Sequence, residues 1–236
     1  MSQTGTSLQD SAIRALAETF SLLQERGILT PTTTLDALNA QLTAGQQSIV
    51  DQLVNLEPLD YGVKTPYAGE LEPVPADLVK VSGQQYSEDG EQRTLADKYV
   101  PRHVFDAYTA MNDAFRAGHP ARGLLVVSCY RSPAYQVSVF VSHLVNAYAG
   151  DVGKTIRHAS PPRYSQHTIA SKAAIDFGNV DGSPSDAHPE DFKETVEYAW
   201  LRHHANAFGF YESWLEGNDY GMRAEPWHWQ YLGAGG

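Results

Sequence analysis

The sequence predicts an α+β fold, in which a small, mainly antiparallel sheet is flanked by helices and preceded by an N-terminal helical segment. Two patterns point there. Short apolar strand candidates are scattered among amphipathic helices without the strict strand–helix alternation of a parallel sheet. The first sixty residues, by contrast, hold helical stripes and no Tyr, Trp or His. The expected division is therefore a helical segment over 1–60 and a larger domain over 61–236.

The elements follow in order. Ser7 with Asp10 resembles a capping box, Ile13, Leu16, Phe20 and Leu23 form a helical stripe, and Gly27 supplies a stop. Leu35, Leu38 and Leu42 mark a second helix, and Ile49, Leu53 and Leu56 a third before Pro58. From Tyr61 to about Val100 the chain is rich in Pro, Gly and polar residues, which predicts long loops. Val104, Tyr108, Met111 and Phe115 make an amphipathic helix ending at Gly118, and residues 123–128 read as a buried strand. Ser132-Pro133 opens a helix with the stripe Val137, Phe140, Val141, Leu144 and Tyr148. A short strand is expected over 173–177. One helix is expected over 190–208 through Phe192, Val196, Trp200 and Ala207, closed by Gly209. Two last strands fit 210–214 and 227–231. No internal repeat is visible.

The chain has 236 residues, 42% of them hydrophobic, with thirteen Tyr, eight Phe and four Trp, a composition of folded globular proteins. Its net charge is −11 and its Lys and Arg form no run, which argues against a nucleic-acid partner. No stretch approaches the ~20 apolar residues of a transmembrane segment. The N-terminus lacks the charged and apolar regions of a secretory signal, so the expectation is either a cytosolic protein or one whose export signal has been removed. The single Cys129 rules out an internal disulfide, so a metal here must rest on His and carboxylates.

Such a set exists. His167, Asp176 and His228 can supply three ligands and leave a fourth position for water, the arrangement of a catalytic Zn2+ site. Glu225, three residues before His228, is placed to serve as proton acceptor if a turn or bulge at Pro226 brings both to the metal. Taken alone, a His–Asp pair and a distant Glu-x-x-His are a weak signal, since polar residues recur without any shared site. A rival reading makes Cys129 a nucleophile with His167 or His228 as its base. Its place at the end of an apolar strand speaks for a small buried hydrophobe instead. His203 and His204 are adjacent on a helix and cannot both face one site.

The segments Ser165-Gln-His167, Ala174-Ile-Asp176-Phe-Gly and Glu225-Pro-Trp-His228-Trp, together with Ser128-Cys-Tyr-Arg131-Ser…Gln136 and Trp200-Leu-Arg-His-His-Ala…Phe208-Gly-Phe, occur in an informative order. They resemble the LAS zinc metallopeptidases, and most closely the VanY-type D-alanyl-D-alanine carboxypeptidases and their L,D-carboxypeptidase relatives. The resemblance covers roughly residues 95 to 232. It implies that His167, Asp176 and His228 bind Zn2+, that Glu225 is the catalytic base, and that Arg131 binds substrate or stabilises developing negative charge. Gln136, Ser165 and Trp227 are further candidates for substrate contacts. The family pattern has six residues between the His and the Asp, with a Gly among them. Here eight intervene, which preserves strand parity but requires a bulged loop. Cys129 replaces the usual Gly, and Trp214 stands where Tyr is common.

The implied function is removal of the terminal D-alanine from peptidoglycan stem peptides, with D,D- or L,D-specificity open. That partner would place the protein in the cell envelope or outside the cell. A peptidoglycan endopeptidase of the same fold and a non-catalytic zinc-stabilised binding module are the alternatives. Glu225 separates the last, because a purely structural zinc site has no use for it.

Overall fold

The computed structural model describes residues 10–64, 71–182 and 188–233. It divides the chain into two compact units, Met1–Leu71 with Ser132–Ser165, and Glu72–Arg131 with Gln166–Gly236. The units follow packing rather than chain order, so they differ from the contiguous 1–60 and 61–236.

The first unit is helical. The helix Asp10–Glu25 buries Ile13, Leu16, Phe20 and Leu23, the stripe read from the sequence, and Gly27 stops it at φ +68°. Ser7 of the expected capping box lies outside the described residues. Helices Leu35–Asn39 and Ala44–Val54 start where Thr34 and Thr43 accept backbone N–H groups, and Thr43 with Gln46 forms a complete capping box. The helix Pro133–Ser142 joins this unit. Its Ala134, Val137, Phe140 and Val141 are buried on several sides, and it packs on the first and third helices. It continues as a π-helical turn, His143–Ala147, and ends where Ala149 and Gly150 take positive φ.

The second unit holds the sheets. Within the stretch expected to be loop lie four short strands, β1 (Leu78–Val81), β2 (Gln85–Glu88), β3 (Glu91–Thr94) and β4 (Lys98–Pro101). β1 pairs with β4 and β2 with β3, both antiparallel. The main sheet comprises β5 (Leu125–Ser128), β6 (Ala174–Gly178), β7 (Phe210–Glu212) and β8 (His228–Tyr231), in the order β5-β6-β8-β7, with every pairing antiparallel. The expected antiparallel sheet is therefore present.

The helix Arg102–Gly118 lays Val104, Tyr108, Met111 and Phe115 into the same core as Val126, Ile175, Phe177, Phe210 and Trp229. The single helix expected over 190–208 is instead broken into Pro189–Lys193, Val196–His204 and a 3-10 turn, Ala205–Phe208. The break falls at Thr195, whose hydroxyl accepts from the Tyr198 N–H and starts a new helix. Gly209, at φ +87°, closes the last turn as expected.

Candidate active site

The main sheet aligns the first polar groups. Asp176 on β6 stands directly opposite His228 on β8 and also opposite Ser128 on β5. Ser128 reaches that position because the β5–β6 register shifts by one between Val126 and Ser128. Without this bulge Ser128 would share the core-facing side of Val126. His167 arrives from the 3-10 turn Gln166–Thr168. Its carbonyl accepts the Arg131 N–H at 3.0 Å, which ties the turn to the end of β5.

The His167 Nε2 lies 3.2 Å from Asp176 Oδ2, and the His228 Nδ1 lies 2.8 Å from Asp176 Oδ1. One donor atom from each of the three residues falls within 4.8 Å of the others. Donors around a tetrahedral zinc with bonds of about 2.0–2.2 Å stand roughly 3.3–3.6 Å apart. The two His–Asp separations fall slightly short of that and the whole set lies within 4.8 Å, so small side-chain shifts bring the three donors onto one ion.

The protonation pattern agrees. His167 Nδ1 is 2.9 Å from the Cys129 carbonyl, which can only accept, so Nδ1 carries the proton. Burial, followed by the charge of Arg131, lowers the His167 pKa to about 4 and keeps the ring neutral. Its Nε2 lone pair therefore faces a carboxylate. Although burial opposes its charge, the polar groups around Asp176 hold its carboxyl well below the usual carboxylate range, and it stays ionised. A lone pair set against a buried carboxylate is unfavourable until a cation lies between them. The donor set thus fits a divalent metal with borderline-soft preferences, Zn2+ foremost.

Glu225 enters through a turn. The His228 N–H donates to the Glu225 carbonyl at 3.0 Å across Pro226-Trp227, and the Glu225 N–H donates to the Trp214 carbonyl at 3.0 Å. This turn brings Glu225 Oε2 to 3.9 Å from His228 Nδ1. Arg131 approaches from the other side. Its Nε donates to Ser128 Oγ at 3.0 Å and its Nη2 lies 3.4 Å from Asp176 Oδ2. Lys98 on β4 senses the same charges: burial, then Arg131, lowers its pKa.

The five residues His167, Asp176, His228, Glu225 and Arg131 are therefore gathered in one unit. Gln136 and Ser165 belong to the other unit, where both are buried and the Gln136 Nε2 donates to the Ser160 carbonyl at 2.8 Å. Trp227 is buried in the core of the sheet unit, and its carbonyl accepts the Phe177 N–H. Cys129 is buried too, and burial pushes its thiol far above the usual range, so it offers no thiolate for nucleophilic attack.

Sequence reasoning assigned no role at the site to Gln166, Ser213 or Trp214. Trp214 stacks on the His228 ring with centroids 5.8 Å apart. Gln166 Oε1 lies 2.9 Å from His228 Nε2 and accepts from Ser213 Oγ at 2.6 Å. Gln166 stood in plain view inside Ser-x-His, where its position looked like a spacer. Nothing local to Ser213 could have marked it.

Residues 97–234 match the model of the VanY family, described as D-alanyl-D-alanine carboxypeptidase. No curated protein matches the chain. Among solved structures, an LdcB LD-carboxypeptidase, whose structure is titled as revealing the molecular basis of peptidoglycan recognition, is 24% identical, with 75% of this chain and 79% of that one covered and a TM-score of 0.53. That likeness is one of fold. A vancomycin-resistance D,D-dipeptidase, VanXYg, in complex with a D-Ala-D-Ala phosphinate analogue, is 25% identical over 57% of this chain and 51% of its own, with a TM-score of 0.47. A VanY D,D-pentapeptidase variant in complex with Zn(II) is 21% identical over 71% of this chain and 87% of its own, with a TM-score of 0.45.

Proposed function

This chain belongs to the VanY D-alanyl-D-alanine carboxypeptidase family, and from that premise we propose that it is a zinc-dependent carboxypeptidase removing the terminal D-alanine of peptidoglycan stem peptides. The observation that carries the zinc reading is the convergence of His167 Nε2, His228 Nδ1 and the Asp176 carboxylate, with Glu225 beside them. Zn2+ held by these three residues would polarise the scissile carbonyl and lower the pKa of water.

The chain's own residues supply the rest. Glu225 takes a proton from the attacking water and delivers one to the amine nitrogen of the departing alanine as the C–N bond breaks. Arg131, aimed by Ser128 and Asp176, either neutralises the tetrahedral oxyanion or holds the terminal carboxylate of the substrate. Asp176, kept ionised, balances the charge of the centre. Glu225 also favours turnover over a non-catalytic zinc module, since a carboxylate 3.9 Å from a ligand nitrogen adds nothing to a closed structural site. The proposed place of action is the cell envelope or beyond it, where stem peptides are found. Among the described residues no helix is long and apolar enough to cross a membrane.

The test is mass spectrometry of the zinc-loaded protein incubated with pentapeptide and tetrapeptide muropeptides, alongside a chelator-treated control. Loss of one terminal alanine in the zinc sample alone is expected, and the stem consumed identifies D,D- or L,D-specificity. Internal cuts would assign an endopeptidase instead. Intact stems with bound zinc would overturn the peptidase reading in favour of a binding module.

A further inference from the structure

Beside Arg131 stands a second cation that the chemistry above does not use. Lys98 lies on β4, opposite Val81 of β1. Its neighbour Tyr99 accepts the Tyr130 N–H at 3.0 Å, and Arg131 follows Tyr130 in the chain. The backbone of β4 is thus fastened to the segment that carries Arg131. Val100 is fully buried in the sheet core, and strand alternation turns Lys98, two residues before it, to the same inward side, where it is half-buried.

The charges around this lysine are unbalanced. Among the described residues its ammonium has neither a hydrogen bond nor an ion pair. Asp97, adjacent in the chain, pairs with Lys80 instead. Asp176 is already engaged by Arg131, His167 and His228, and would have less to offer once it served a metal. Burial, followed by the charge of Arg131, lowers the Lys98 pKa, as expected of a cation partly removed from water near another cation. With 28 acidic residues against 17 basic ones in the chain, a scarcity of carboxylates does not account for the missing partner.

The anion that would balance Lys98 has a definite chemistry. A peptide cleaved at its last bond carries a free α-carboxylate one residue beyond the scissile carbonyl. The site therefore meets two negative charges a few bonds apart, the permanent one of the terminus and the transient one of the tetrahedral oxygen. Arg131 alone can serve one of them, whereas two neighbouring cations can divide them. Arg131 is aimed by Ser128 and Asp176, which suits a charge that develops at one fixed point. Lys98 has a flexible stem and three rotatable donors, which suits a carboxylate that must enter and leave.

We propose that Lys98 binds the terminal carboxylate of the substrate and so makes the site select a free C-terminus, leaving Arg131 to the oxyanion. This deepens the carboxypeptidase reading above and rests on it.

The experiment separates binding from turnover. The zinc-loaded full chain carrying Glu225→Gln is titrated calorimetrically with pentapeptide and tetrapeptide stems, each as the free carboxylate and as the C-terminal carboxamide. The carboxylate form of the recognised stem is expected to bind about 10- to 100-fold more tightly, the worth of one hydrogen bond between charged groups. Adding Lys98→Met should abolish that preference by weakening the carboxylate form alone, and Lys98→Arg, which keeps the charge, should retain most of it. An unchanged preference in the Lys98→Met protein overturns the proposal. So does an equal loss on both forms, which would make Lys98 part of the scaffold, or the lack of any preference before Lys98 is changed. If circular dichroism shows the Lys98→Met protein unfolded, Lys98→Gln takes its place with the same outcomes. Digestion of the same stems by the wild type keeps the two readings apart. Release of neither alanine nor alaninamide overturns the peptidase reading, while a carboxylate preference that depends on Lys98 still upholds its binding role.

Discussion

The two faces of the main sheet do opposite work with the same backbone. On β6, Ile175 and Phe177 are fully buried on one face, in the core with Val126, Phe210 and Trp229, while Asp176 between them turns to the other. On β8, Trp229 joins the core and His228 pairs with Asp176. The apolar face is held by volume and dispersion, so its residues are replaceable at a cost set by the space they leave. The polar face is held by donors matched to acceptors, so a change of one atom can end its function without loosening the fold. Strand alternation keeps the two separate: the period of two that buries Ile175 and Phe177 is what delivers Asp176 to His228.

The largest expected effect belongs to the polar side. Glu225→Gln should lower kcat on the stem peptide by about 10²–10⁴-fold while leaving zinc content and thermal stability near wild type. A variant that lost its zinc, or whose midpoint dropped by many degrees, would make Glu225 part of the scaffold and would break the comparison. Phe177→Ala is the counterpart on the apolar face. It should cost about 3–5 kcal/mol in denaturant unfolding, because a buried aromatic ring leaves a cavity the sheet cannot close. The molecules that stay folded should keep their zinc affinity. If affinity fell in parallel with stability, the two faces would be coupled through the strand rather than separated by it.

What could be read from the sequence follows the same division. Stripes such as Ile13, Leu16, Phe20 and Leu23 were legible because burial imposes a 3.6-residue period. The His167, Asp176 and His228 cluster was legible through the resemblance of several ordered motifs to the VanY-type family rather than through spacing, since the His–Asp interval here is two residues longer than the family's. The β2–β3 hairpin was not, since β3 is exposed throughout and shows no apolar alternation. Its signal lay in Asp89-Gly90, which take φ +54° and +79° between Glu88 and Glu91, the two-residue turn that matches strand twist. The break at Thr195 was hidden because the apolar period runs on across it, although a Thr three residues before the Tyr198 N–H it caps was a usable sign. Gln166 and Ser213 meet only through the folding of distant segments, and no local pattern encodes that meeting.

The smallest effect is the sharpest test of separation. Ile175 adjoins Asp176 in the chain, is fully buried, and pairs with Trp229 one step from the Asp176–His228 pair. Ile175→Val removes one methylene and keeps the β-branch, so the strand's χ1 preference is retained and about 0.5–1.5 kcal/mol of stability is lost. Chemical denaturation should register that loss, and chelator competition should return the wild-type zinc affinity. The reasoning is geometric: the lost group lies on the opposite side of the pleat from the carboxylate, and the ladder that orients Asp176 is made by backbone atoms the substitution does not touch. A weakening of zinc binding by tenfold or more would mean that core packing sets the pitch of β6 closely enough to move Asp176 relative to His167 and His228. The alternation would then transmit core packing to the site rather than insulate the site from it.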